Sequence, residues 1–311
     1  MRISFEDTRY RPFFSFFIVA VPCLLLVAPA YLCVCERYGR WPAAEDELLH
    51  LGEGYASLLR GRRPGPRFAA ALRSMLVKFF FLPVMIVFWV ENTGSFGTAI
   101  GAMLSQPHGS VRGAALVGRL FEVTQQGIIL LDLSLATIGY AAATRLLDTH
   151  VRWAEPTLAG WAVALACYPP FSVRITEQCL RYVDQQTMWS STLGGYPVLF
   201  GVCAGAILVL LGAYTLATVM FGLRFSNLTH RGILCRGPYA LVRHPAYAAK
   251  NLAWWMISLP FLRSPGDCIR LALWNVIYVL RALTEERNLR CDPMYREYMR
   301  RVRWRFIPGL M

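Results

Sequence analysis

The chain has 311 residues, 56% of them hydrophobic and 16% charged, with a formal net charge of +13. Soluble domains run nearer roughly 45–50% apolar and about 25% charged, so a mean hydropathy of +0.40 excludes a disordered chain and argues against a water-soluble globule. The basic excess sits between apolar runs, which assigns it to positive-inside topology and to anionic lipid or an anionic ligand, and not to nucleic acid.

A membrane-spanning helix needs about 20 mostly apolar residues. The first such run is Phe13 to Cys35, preceded by Arg2, Arg9 and Arg11. It is too long for a signal-peptide core and lacks a small-residue cleavage site, so it reads as a span. Residues 36–71 are polar and contain the basic turn Arg60-Gly-Arg-Arg-Pro-Gly-Pro-Arg67, which reads as a cytosolic loop beside lipid headgroups. Leu72 to Val90 is the second span, with Lys78 early enough in it to snorkel. Residues 91–113 are Gly-rich; no strand precedes Gly94, Gly97 and Gly101, so helix packing or a loop is favoured over a nucleotide loop.

The third span lies within Ala114 to Leu147, centred on Gly127 to Leu146. It carries Asp132, a carboxylate at membrane depth and therefore a functional candidate. A structural role, bonded to an arginine or hydroxyl of a neighbouring helix, is the preferred reading. Leu158 to Val173 is the fourth span, ended by Pro169-Pro170, and Val198 to Leu223 is the fifth. A basic loop, 224–250, leads to an apolar hairpin, Leu252 to Leu262 and Cys268 to Leu283, turning at Arg263-Ser-Pro-Gly266. An arginine-rich tail closes the chain.

The expected fold is all-α, a polytopic integral membrane helix bundle of about seven spans. Residues 1–197 form N-terminal transmembrane helices, and residues 198–311 form a core with a cytosolic pocket built by the C-terminal region. The arginine distribution puts loops 36–71 and 224–250 and the tail in the cytosol, and the richness in arginine favours a bacterial inner membrane over the endoplasmic reticulum. Six of the nine cysteines lie in or beside apolar runs, no C-x2-C pair occurs and the five histidines are scattered. No metal centre is expected, and no obligate protein partner is evident.

Two segments are unlike membrane loops: Arg231-Gly-Ile-Leu-Cys-Arg-Gly-Pro-Tyr-Ala-Leu-Val-Arg-His-Pro-Ala-Tyr247, and Arg281-Ala-Leu-Thr-Glu-Glu-Arg287 with the tail beyond it. Gly237-Pro238 is turn chemistry. Pro245 excludes His244 from the helical region and suits the first position of a helix, whose unpaired amides favour an anion. Tyr239, His244 and Tyr247 would bring ring faces to that helix start, where they can hold an adenine or a sulfonium cation. Arg281 and Glu285, spaced i, i+4, share a helix face where the last span leaves the bilayer. By spacing alone they read as a surface ion pair.

Taken together, Gly237-Pro-Tyr-x3-Arg-His-Pro-x-Tyr247, Glu285-Glu286-Arg, Tyr295-x2-Tyr298 and Arg305-Phe-Ile-Pro-Gly resemble the isoprenylcysteine carboxyl methyltransferase family and, with it, bacterial phospholipid methyltransferases, over roughly residues 223–311. The resemblance implies S-adenosylmethionine as cofactor. It implies that the backbone of Arg231, Gly232, Ile233 and Leu234 lines the cofactor, together with Tyr239, the turn His244, Pro245, Ala246 and Tyr247, and Glu285. Arg281 would take the carboxylate of a lipophilic or prenylated substrate and serve catalysis by neutralising it. The helix after Tyr247 departs from the family in Lys250 and Asn251, which either face the substrate head group or sit at the membrane interface.

Carboxyl methylation needs no general base, because a carboxylate is already ionised at neutral pH. An amine or thiol acceptor would need one, with His244 or Glu286 as candidates. Two other readings stay open. An NADPH-dependent sterol or steroid reductase shares the Arg-His-Pro-x-Tyr turn and the Arg-x-Ile-Pro ending. A non-catalytic scaffold or transporter draws on Asp132 and the proline-broken fourth span.

Overall fold

The computed structural model describes residues 11–38, 46–105, 114–172, 195–262 and 264–310. The chain is mostly helical. The helices are α1 (Arg11–Tyr38), α2 (Glu47–Leu59), α3 (Pro66–Leu104), α4 (Ala114–Ala141), α5 (Leu158–Leu165), α6 (Pro197–Phe221), α7 (Pro245–Ser258), α8 (Pro265–Leu289) and α9 (Pro293–Arg301). Two-residue strands β1 (Trp153–Ala154) and β2 (Thr229–His230) pair antiparallel, Trp153 opposite His230.

Among the described residues, two helices are long and apolar enough to cross a membrane: α3, with 39 residues, and α6 extended to Arg224, with 28. At 1.5 Å per residue even the shorter reaches ~42 Å, beyond the ~30 Å of a hydrocarbon core.

Several boundaries differ from the sequence expectation for physical reasons. The polar stretch 36–71 holds α2, capped by Asp46, whose carboxylate accepts from the Leu48 amide at 2.8 Å. Residues 39–45 of that stretch lie outside the described residues. Helix α3 runs through Gly94, Gly97 and Gly101 to Leu104. A Cβ at any of these glycines would meet nothing within 4 Å, so close helix packing does not explain them. Residues 106–113 of the same Gly-rich stretch are outside the described residues. Helix α5 has 8 residues and ends before Pro169-Pro170, so the expected break is present. Its ~12 Å is too short to cross a bilayer alone. Val173, the end of the expected fourth span, and Arg263 of the hairpin turn also lie outside the described residues.

The chain divides into two compact units. The first takes the chain up to Phe88, Ala136–Leu158 and Leu223–Gly232. Its core holds the fully buried Val77 and Phe81, and Phe81 stacks on Tyr140 at 5.6 Å. Helix α2 lies against α3 at Gly54, where an added Cβ would stand 1.9 Å from the Phe68 ring, so only glycine fits. The second unit takes Trp89–Leu135, Ala159–Gly222 and the chain from Ile233 onward. Phe121 of α4, Phe200, Ile207 and Leu211 of α6, and Ala253 and Ile257 of α7 form its main core. Removing one such side chain costs about 2–5 kcal/mol.

Candidate functional site

The second unit assembles the site from the start of α7, the end of α8 and the tail. Pro245 is the first residue of α7, and His244 before it has φ −128°, outside the helical region, as its proline neighbour requires. The preceding turn needs Gly237, whose φ of +60° suits glycine. Tyr239 in that turn is buried, and its hydroxyl donates to the Ala217 carbonyl at 3.4 Å. Burial pushes the Tyr239 hydroxyl well above the ordinary phenol range, so it serves as a donor. Opposite, Ser264 and Asp267 form a capping box that starts α8. Helix α8 then runs to Leu289 and carries Arg281, Glu285 and Glu286 to the site.

Two centres form around the neighbouring carboxylates. Glu286 is fully buried and gathers bases: Arg243 at 3.0 Å, His244 at 3.3 Å, Arg305 at 3.2 Å and Arg290 at 3.6 Å. Burial alone would raise its carboxyl pKa. The His244 hydrogen bond and the Arg243 and Arg305 charges outweigh burial and hold it below the ordinary carboxylate value. The same strands of chain are tied by backbone: the Arg243 amide donates to Trp304 O at 2.9 Å and the His244 amide to Arg305 O at 2.8 Å. Tyr295 and Tyr298 of α9 pack with Val302, and Ile233 and Leu289 close the cluster. The Tyr298 hydroxyl donates to Tyr239 O at 2.8 Å. The Tyr-x2-Tyr pattern therefore fastens the tail to the Gly-Pro-Tyr turn.

Glu285 faces a different environment, with a side chain 27% exposed. It accepts from the Tyr247 hydroxyl and from Arg281 Nε at 3.2 Å, and His244 Nδ1 lies 3.9 Å from it. The His244 and Tyr247 rings stack at 5.5 Å, and Phe306 closes on His244 at 5.7 Å. Arg281, only 4% exposed, lies among three tyrosine rings: Tyr247 at 5.3 Å, Tyr168 at 5.7 Å and Tyr278 at 5.9 Å. Its neighbours include aromatic faces and one partly exposed carboxylate, a setting in which cation–π attraction gains from desolvation.

Lys250 and Asn251 follow on α7. The Lys250 ammonium lies over Tyr214 at 4.9 Å and Trp254 at 5.1 Å. The Tyr214 hydroxyl also donates to Asp132 at 2.6 Å, so Asp132 has the neighbouring-helix hydroxyl partner expected of a structural carboxylate. Asn251 Nδ2 donates back to Tyr247 O at 2.8 Å, while its Oδ1 is buried without a hydrogen bond.

Of the sequence candidates, Ile233, Leu234, Tyr239, His244, Pro245, Ala246, Tyr247, Lys250, Asn251, Arg281 and Glu285 all belong to this second unit. Arg231 and Gly232 belong to the first. There the Arg231 guanidinium donates to three carbonyls, Thr149 O, Gly139 O and Phe225 O, at 2.6, 3.0 and 2.8 Å. Burial lowers its pKa to about 10, which leaves it charged at neutral pH. Its side chain is a structural pin. Ile233 likewise spends its side chain on packing.

Sequence reasoning missed Tyr278, Tyr168 and Phe306. Tyr278 stands three residues before Arg281 on one helix face, a readable signal. Tyr168 comes from a distant turn and has no local signal. Among the described residues no group of His, Cys, Asp and Glu could hold a metal ion.

Neither a protein-family model, nor a curated protein, nor a solved structure matches this chain.

Proposed function

We propose that the chain is a membrane-embedded methyltransferase that uses S-adenosylmethionine to methylate the polar end of a lipophilic substrate, most simply the carboxylate of an isoprenylcysteine-like lipid. It would lie in a polytopic helix bundle of about seven spans in a bacterial inner membrane, with the site on the cytosolic side. The observation that carries this reading is the convergence of Arg281, Glu285, Tyr247 and His244 in one aromatic-walled group.

The residues present fit the cofactor. Glu285 is a partly exposed carboxylate, matched to an ammonium or to ribose hydroxyls. The His244, Tyr247 and Phe306 rings offer faces to a cation or a purine. When bound, S-adenosylmethionine would supply a methyl group already activated on its sulfonium. The chain's own work is then orientation, exclusion of water and charge neutralisation. Arg281, buried among rings, would hold a substrate carboxylate that needs no deprotonation. Glu286 is fully buried, and His244, Arg243 and Arg305 hold its carboxyl below the ordinary carboxylate value, so it suits neither proton transfer nor ligand contact.

The same fact weighs against NADPH. The cations nearest the His-Pro turn, Arg243 and Arg305, are committed to Glu286 and not presented to a 2′-phosphate. Equilibrium binding to the purified protein in lipid nanodiscs tests the choice. Saturable S-adenosylmethionine binding, weakened by Glu285→Ala, is expected. Saturable NADPH binding without S-adenosylmethionine binding contradicts it.

A further inference from the structure

The first unit contains a cavity of about 290 Å³ that plays no part in the reading above. Its wall is formed by Leu24, Val27, Ala28 and Tyr31 of α1 and by Met75, Lys78, Phe79 and Leu82 of α3. Both sets follow the i, i+3, i+4, i+7 pattern of a single helix face. The start of α2, with Asp46 and Glu47, and the chain from Tyr140 to His150 complete it.

The cavity has a polar end and an apolar end. At the polar end the Tyr31 hydroxyl donates to Asp46 at 3.3 Å, and Arg145 pairs with the same carboxylate at 3.1 Å. Lys78 pairs with Glu47 Oε2 at 3.1 Å and donates to Ala143 O at 3.4 Å. Two turns along α1 from Tyr31, and one turn along α3 from Lys78, the lining becomes Leu24 and Leu82. That division suits a molecule with a polar head and a hydrocarbon chain.

The charge balance narrows the head group. The two cations, Lys78 and Arg145, are each paired to a carboxylate, Glu47 and Asp46. Burial and the Arg145 charge bring the His150 pKa down to about 4, so that ring adds no charge at neutral pH. The walls therefore offer no uncompensated charge to an ionic head. Among the described lining residues, Glu47 keeps its Oε1 buried without a hydrogen bond, although its Oε2 is taken by Lys78. A buried carboxylate oxygen without a donor is costly, and a hydroxyl supplies what it lacks.

We propose that this cavity binds a single-chain lipid alcohol, with its hydroxyl donating to Glu47 Oε1 and its hydrocarbon chain against Leu24, Val27 and Leu82. The site stands apart from methyl transfer and does not depend on it.

The test uses the full chain in phosphatidylcholine nanodiscs and a diazirine-bearing 12-carbon primary alcohol as photolabel, mapped by peptide mass spectrometry. Label is expected to concentrate on peptides containing Leu24–Tyr31 and Met75–Leu82. 1-Dodecanol should compete about tenfold better than dodecanoate or dodecylammonium, the size expected of one hydrogen bond to a charged group. Glu47→Gln leaves Lys78 uncompensated and should turn the preference toward dodecanoate. Ala28→Phe, which fills the cavity, should reduce labelling at least about fivefold. Each variant is checked by its melting temperature, and the wild-type competition decides the matter if either fails to fold. Label spread evenly over exposed positions such as Ile18 and Leu26, or equal competition by the three amphiphiles, overturns the proposal and assigns the space to ordinary bilayer acyl chains.

Discussion

Glu285 and Glu286 are adjacent on one helix, yet the regions they face are opposites. Glu286 is fully buried and surrounded by Arg243, His244, Arg290 and Arg305. Glu285 is partly exposed and shares its surroundings with Arg281 and a set of rings. The first region is charge-saturated and joins the tail to the His-Pro turn. The second has few charges and aromatic walls. Consecutive residues on a helix point about 100° apart, so neighbouring carboxylates can face unlike surroundings.

The sharpest way to break this contrast is to remove each carboxylate separately. Glu286→Ala strands the buried Arg243 and removes the carboxylate shared by His244, Arg305 and Arg290, and should lower stability by about 3–5 kcal/mol, read as the melting temperature in detergent. Glu285→Gln should leave melting within about 1 kcal/mol of wild type but weaken S-adenosylmethionine binding at least about tenfold, by titration. Equal stability losses in the two variants would erase the distinction between the regions.

Acid provides the next test, because the contributions of two groups begin to be lost at different pH values. The folded His150 pKa is depressed to about 4 from 6.5, so its contribution is complete above pH 6.5 and is lost as pH falls toward 4. The Glu286 carboxyl is depressed too, so its contribution is present above the unfolded carboxyl value near ~4.3 and is lost only below that. His150→Gln should flatten the melting profile between pH 6.5 and about 4 and leave the more acidic loss in place.

The smallest effect concerns the tail. Tyr298→Phe removes the hydroxyl that satisfies the buried Tyr239 carbonyl and should cost about 1–2 kcal/mol, with methyl transfer reduced only through that loosening.

Much of the site was legible because local rules placed it. The His-Pro dipeptide set the start of α7, and the i, i+4 spacing paired Arg281 with Glu285, whereas the Ser264–Asp267 capping box that starts α8 lies inside the stretch that reads as the hairpin turn. What stayed hidden depends on distant contacts. Nothing near Tyr168 announces that its ring meets Arg281, and nothing near Arg305 announces Glu286. The helix in the polar stretch was overlooked for another reason. Its Asp46 cap and its apolar Leu48, Leu51, Tyr55 and Leu58 at helical spacing stand inside a segment whose arginines suggested a loop. The role given to Arg231 from the resemblance concerned its backbone, whereas its side chain holds three carbonyls of the first unit together.

In the proposed reaction, Arg281 and its aromatic surroundings place a lipid anion for methylation. Membranes containing the wild-type chain, Arg281→Ala or Arg281→Lys, incubated with methyl-labelled S-adenosylmethionine and a farnesylated cysteine analogue, test it most directly. Label should enter the lipid fraction with wild type and fall about 10²–10³-fold with Arg281→Ala, as for loss of a charge-stabilising group. Arg281→Lys should recover only part of it, because the planar guanidinium stacked on tyrosines is lost. Equal label in the lipid fraction from all three membranes, or none with wild type on any lipid carboxylate, would contradict the account.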